Sequence, residues 1–208
     1  MDDYLKSLFS DREIVNKIKR KLPSLFQLAE IDSSRAGKIG MEIGSVRERI
    51  IIALLMYKYG DKNVKVDIPI TEPETDVILF NKPISIKTIS GNLGGVKLIW
   101  TVDPQKALDF SRNYYPSKDM LLVQINWGGL GHFYYFPVAC QIKVFNEIKR
   151  ESYLKLPKQG TNPRGVEITK EALEKLSKRK DISKIDINWE RGIEKHQVYE
   201  RWVKLWDN

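Results

Sequence analysis

The spacing of apolar residues divides the chain into helical and extended stretches. Leu5, Leu8 and Phe9, then Ile14, Val15 and Ile18, recur at helical intervals within residues 1–32, and Pro23 is expected to break that helix. A glycine-rich loop spans residues 33–45. Residues 45–60 form the most convincing helix: Ser45 and Glu48 have capping-box spacing, and residues 50–56 (IIIALLM) are apolar almost all round, which predicts burial against a sheet. A strand is expected over 64–70. Residues 75–80 and 84–89 read as the arms of a β-hairpin broken at Asn81-Lys82-Pro83. A second glycine-rich loop, 90–97, precedes a strand over 98–102 and a helix that Asp103 caps and Pro104 opens. Strands follow over 120–127 and 132–136, with a turn at 128–131 between them, and then a helix over 138–150. The remainder reads as a basic loop (151–165), a helix capped by Thr169, a strand (182–187) and a last amphipathic helix with Trp189, Trp202 and Trp206. This order predicts an α/β fold, a mixed sheet flanked by helices. All 208 residues are expected to form one domain with its core at about 40–136, and a C-terminal subdomain over 151–208 is the alternative division.

Composition narrows the chemistry. No apolar run is long enough to span a membrane, and the acidic start MDDYLKSLFSDREIV lacks a signal peptide's apolar core, so a cytoplasmic protein is expected. One cysteine, Cys140, excludes internal disulfides and a cysteine zinc site, and His132 and His196 are too few for a histidine cluster. Any bound metal must then be held by oxygen, which favours magnesium or manganese. Lys and Arg number 35 against 27 acids, a formal charge of +8 that favours a polyanion such as nucleic acid. A basic protein without such a partner would have the same composition.

The hairpin holds the most suggestive chemistry. Asp76 stands at the mouth of its first arm and Lys87 deep in its second, where Ser85 and Lys87 share one face and Ile84 and Ile86 the other. A carboxylate and an ammonium on adjacent strands can converge on one phosphate, the acid through a metal ion. Glu48 can reach this hairpin from the preceding helix, although helix capping alone accounts for it. Arg35 and Lys38, on a loop whose glycines allow close backbone approach, suit phosphates; Met41 is either a core anchor or a wedge between base pairs. Ser90, Asn92 and Lys97 lie on the loop just past Lys87. Gln159, Asn162 and Arg164 have side chains able to read base edges, on a stretch that also suits a plain connector.

The helix–strand–hairpin–helix–strand order with Asp76 and Lys87 resembles the PD-(D/E)XK nuclease family over about residues 40–136. Here Ser85-Ile86-Lys87 replaces the usual acid-x-lysine, so the missing carboxylate is assigned to Glu48, with Glu42 as second choice. Glu147-Ile148-Lys149 has the literal spacing but falls in a helix and is read as accidental. Among the type II restriction endonucleases of that family, the Glu48, Asp76, Lys87 spacing and the Gly-Met-Glu-Ile-Gly loop resemble a homodimer that cuts double-stranded DNA at CGCG to blunt ends. The resemblance implies Mg²⁺ held by Glu48, Asp76 and the Ile86 carbonyl, Lys87 beside the attacking water, 5′-phosphate products and a companion DNA methyltransferase that is not a bound partner. It also favours Met41 as a groove-inserting residue. A junction or repair nuclease of the same fold, and a non-catalytic DNA-binding module, are the competing readings.

Overall fold

Alternating side chains on the central strands send apolar groups to both faces of one sheet, and helices cover each face. The computed structural model describes residues 4–35, 38–39, 42–69, 72–157 and 165–192. In chain order the first half contains α1 (Tyr4–Ser10), α2 (Arg12–Asp32), a short ladder of β1 (Ser34–Arg35) with β2 (Lys38–Ile39), α3 (Ile43–Tyr59), β3 (Val64–Lys65), β4 (Val77–Leu79), β5 (Lys82–Ser90) and β6 (Val96–Lys97). The second half contains α4 (Pro104–Asn113), β7 (Asp119–Ile125), β8 (Gly129–Phe136), α5 (Val138–Tyr153), β9 (Leu154–Lys155), β10 (Glu167–Ile168), α6 (Lys170–Ser177) and β11 (Ser183–Trp189). Six strands form the main sheet in the order β11-β8-β7-β5-β4-β3, antiparallel except for the parallel pair β5–β7. A smaller sheet, β6-β10-β9, stands beside it.

Period-two alternation is clearest on β7 and β8. Leu121, Val123, Ile125, Phe133 and Tyr135 enter a core with α1, α2 and α3. Met120, Leu122, Tyr134 and Phe136 enter a second core with α4, α5, α6 and the small sheet. The described part of residues 151–208 joins both: β11 extends the main sheet and buries Trp189 in the first core, while Leu173 and Leu176 of α6 enter the second.

Several elements differ from the sequence reading for identifiable reasons. Pro23 lies inside α2 without ending it, because Ile18, Leu22 and Phe26 on the same face are buried and offset the missing backbone bond. The chain breaks earlier, where the Asp11 side chain accepts from the Glu13 and Ile14 amides and caps α2. Helix α3 begins at Ile43 with no side-chain cap, so Ser45 and Glu48 do not form a capping box. Only Arg47, Ile51 and Leu55 of α3 are buried; Ile50, Ala53, Leu54 and Tyr57 instead line an open groove against α2. The strand expected over 64–70 shortens to β3, and that over 98–102 is irregular, its pairing ending with β6. The hairpin turns at Phe80-Asn81, both at positive φ, between partners Leu79 and Lys82. Pro83 therefore belongs to β5, one residue before its ladder to β7 starts at Ile84. The last expected helix, with His196, Trp202 and Trp206, lies outside the described residues.

Candidate active site

Beside β5 lies a cleft of about 630 Å³, lined by the start of α3, the hairpin, and residues 95–100. Asp76 directly precedes β4, where its amide donates to the Ile84 carbonyl at 3.0 Å. Its Oδ2 accepts from the Ile86 amide at 2.5 Å, Lys87 Nζ at 3.0 Å and Ser85 Oγ at 3.3 Å. The two-residue turn sets the register that makes these contacts, so the Asp76–Lys87 ion pair is built by the hairpin itself. Both side chains remain partly open to the cleft.

Glu48 reaches the same cleft from the second turn of α3. Burial, and then the Asp76 charge, push its carboxyl up to about 7 from 4.5, against the pull of Lys87 and Arg49. Glu74 is a fourth ionisable group here, which the sequence reading missed. It lines the cleft at φ +60°, and burial also pushes its carboxyl up to about 7, against the pull of Lys87 and Lys118. The nearest sequence signal was its place two residues before Asp76, and nothing in the pattern marked it as inward.

A network behind α3 fixes Arg47, the residue before Glu48. Buried Glu30 accepts from Arg47 Nη2 at 2.5 Å, Trp127 Nε1 at 2.8 Å and Arg191 Nη2 at 2.6 Å. Arg47 Nη1 also donates to Ser90 Oγ at 3.3 Å. This joins α2, α3, the end of β5 and the β7–β8 turn next to the residue preceding Glu48.

The other sequence candidates are dispersed. Ile86 lines the cleft, and Lys97 lines its opposite wall, paired with Glu167 at 2.9 Å. Ser90 ends β5 as a partner of Arg47, and Asn92 is exposed on the loop beyond. Arg35 and Lys38 pair across the β1–β2 ladder. Met41, Gln159, Asn162 and Arg164 lie outside the described residues. Glu147 forms a surface pair with Lys175, and Lys149 leaves the helical conformation at φ +65°.

Among the described residues no three His, Cys, Asp or Glu side chains gather closely enough to enclose a metal ion. Magnesium does not require such a cage: it commonly takes one or two carboxylates and keeps water and substrate phosphate as further ligands. Two partly buried carboxyls, Asp76 and Glu48, facing one open cleft fit that donor set.

A sheet whose hairpin carries an acid and a lysine, with helices on both faces and a glutamate arriving from one of them, defines a PD-(D/E)XK endonuclease. The profile of the restriction endonuclease ThaI matches residues 8–208. A solved structure described as a restriction endonuclease in complex with substrate DNA is 55% identical, covers 99% of each chain and superposes with a TM-score of 0.92. Among curated proteins no match is found. The chain belongs to the ThaI restriction endonuclease family and is a nuclease, hydrolysing double-stranded DNA by the divalent-metal chemistry of its fold. No described helix is long and apolar enough to cross a membrane.

Proposed function

We propose that the chain is a Mg²⁺-dependent type II restriction endonuclease acting as a homodimer, and that it cuts CGCG to blunt, 5′-phosphorylated ends. The observation that carries the reading is the convergence of Lys87 Nζ, 3.0 Å from Asp76 Oδ2, and the Glu48 carboxyl on one open cleft. Asp76 and Glu48, with the Ile86 carbonyl, would hold the ion; when bound, it supplies Lewis-acid polarisation of the phosphate and lowers the pKa of water. The hairpin keeps Asp76 oriented through the Ile86 amide, so its carboxylate is positioned before substrate arrives. Lys87 orients the attacking water and offsets charge building on the phosphate oxygens. A new P–O bond to that water forms as the bond to the 3′ oxygen breaks; the water's proton passes to solvent, and solvent returns a proton to the departing 3′ oxygen.

The net charge of +8 and the cations on the cleft and the β1–β2 ladder support a DNA grip through Arg35, Lys38, Ser90, Asn92, Lys97, Asn162 and Arg164, with Met41 inserted from the minor groove. End sequencing of fragments from a plasmid digest tests target and cut position together: discrete CG/CG ends are expected. Fragments with ends at unrelated sequences, or a requirement for branched DNA, would overturn the restriction reading. Asp76→Ala and Lys87→Ala are each expected to abolish cleavage while retaining DNA binding, and magnesium-dependent cutting by either would remove this site.

A further inference from the structure

Trp100 stands on the rim of the cleft with 69% of its surface exposed, an unusual position for the largest apolar side chain. Lys97 Nζ sits 4.8 Å from the centre of its ring and leaves the rest of the indole open to solvent. The same ammonium is held at 2.9 Å by Glu167, its cross-strand partner. A cation fixed beside an exposed aromatic face is the pairing that proteins use to grip a nucleic-acid strand, the ring meeting a base or sugar and the charge a phosphate.

The backbone beneath Trp100 is anchored on both sides. Leu98 N donates to the Val166 carbonyl at 2.9 Å, and the Asp103 amide donates to Thr101 Oγ1 at 3.1 Å just before α4. Gly165 packs so closely that an added Cβ would lie 1.7 Å from the Ile99 carbonyl oxygen. The indole is therefore presented from a braced loop, and fixing it on binding costs little conformational freedom.

We infer that Trp100 is a DNA-binding residue whose open face packs on a nucleotide of the strand entering the cleft, with Lys97 engaging an adjoining phosphate. The inference rests on the reading that the scissile strand enters beside Asp76 and Lys87. Continuity of the cleft from Asp76 to Trp100, in a chain of the restriction endonuclease family, identifies DNA as the occupant.

The test uses the full chain in calcium buffer without magnesium and a short duplex carrying the site found by end sequencing. Trp100→Ala is expected to raise Kd by about tenfold or more, with the salt dependence of binding unchanged. Trp100→Phe retains an aromatic face and should recover most of the affinity. Lys97→Ala should lower the slope of log K against log salt by about one. Adding the duplex should change tryptophan emission in the wild type, and Trp100→Phe should lose a distinct part of that change. A folded Trp100→Ala protein that binds and cuts like the wild type overturns the inference. So does weakened binding that sedimentation traces to a lost oligomer, since that would assign the indole to a second copy. If Asp76→Ala still cuts, the reading of the cleft fails; if Asp76→Ala is inactive while Trp100→Ala is normal, only the role of Trp100 fails.

Discussion

Replacing Glu48 by glutamine should stabilise the metal-free protein, and the gain should depend on pH in one direction. The carboxyl is pushed up to about 7 from 4.5, chiefly by burial and then by Asp76. Below about pH 4.5 folded and unfolded chains both hold the proton, and the group costs nothing. Between there and about pH 7 only the unfolded chain releases it, so stability falls as pH rises, and above 7 the full cost stands. The rise corresponds to about 3 kcal/mol between the two protonation states; solvent contact through the open cleft reduces the expected effect to about 1.5 kcal/mol. Since α3 begins at Ile43, Glu48 lies past the first turn, and glutamine sacrifices neither a cap nor much interaction with the helix dipole. For a chain of this size the change is a Tm increase of about 3–6 °C at pH 8, shrinking to nothing near pH 4.5. Thermal melts of wild type and Glu48→Gln at both pH values, in EDTA, provide the measurement. Added magnesium should then raise the wild-type Tm more than the variant's. An equal gain at both pH values would refute the electrostatic account and attribute the effect to packing.

Other outcomes follow from particular contacts. Arg47→Met leaves Glu30 buried with a lost partner and should cost about 3 kcal/mol, read as a Tm drop of about 6–12 °C at neutral pH. A double-mutant cycle with Glu30→Gln should show strong coupling between the two positions. Gly165→Ala places a Cβ against the Ile99 carbonyl at φ +98°, so it should lower stability by at least about 1–3 kcal/mol and shift the Trp100 loop, seen as weakened duplex binding in a titration. Asp76→Ala and Lys87→Ala should each separate cleavage from binding in parallel gel-shift and digestion assays.

The site was most legible in the sequence where its geometry is local. Asp76 and Lys87 are eleven residues apart on one hairpin, and strand alternation alone predicts which β5 side chains share a face. Glu48 was reached through the family resemblance, which moves the missing carboxylate to the preceding helix; the capping box that offered another explanation is absent, since the helix starts two residues before Ser45 and Ser45 lines the cleft. The continuous apolar run of α3 suggested burial against a sheet, but only Ile51 and Leu55 of that run are fully buried; Ile52, Leu54 and Met56 pack partly against the core, and Leu54 and Tyr57 line a groove. Trp100 was read as strand because aromatic and β-branched neighbours favour extension; without a partner beyond β6, propensity could not make a ladder. Glu74 and the Glu30–Arg47–Arg191 network depend on contacts between distant segments, and periodicity carries no trace of them.

The tight Phe80-Asn81 turn also bears on the order in which the molecule assembles. Hairpins close on the scale of microseconds, so the acid and the lysine meet early, within one short loop. The walls around them, from the start of α3 and residues 95–100, come together only through pairing and packing across long stretches of chain. A half-made polypeptide would thus carry the reactive pair without a groove to receive a duplex, and pulse-labelled hydrogen exchange would show the hairpin amides protected before those of β6, which pairs with distant β10. Nucleolytic competence is the property of the finished fold, withheld from its intermediates by topology.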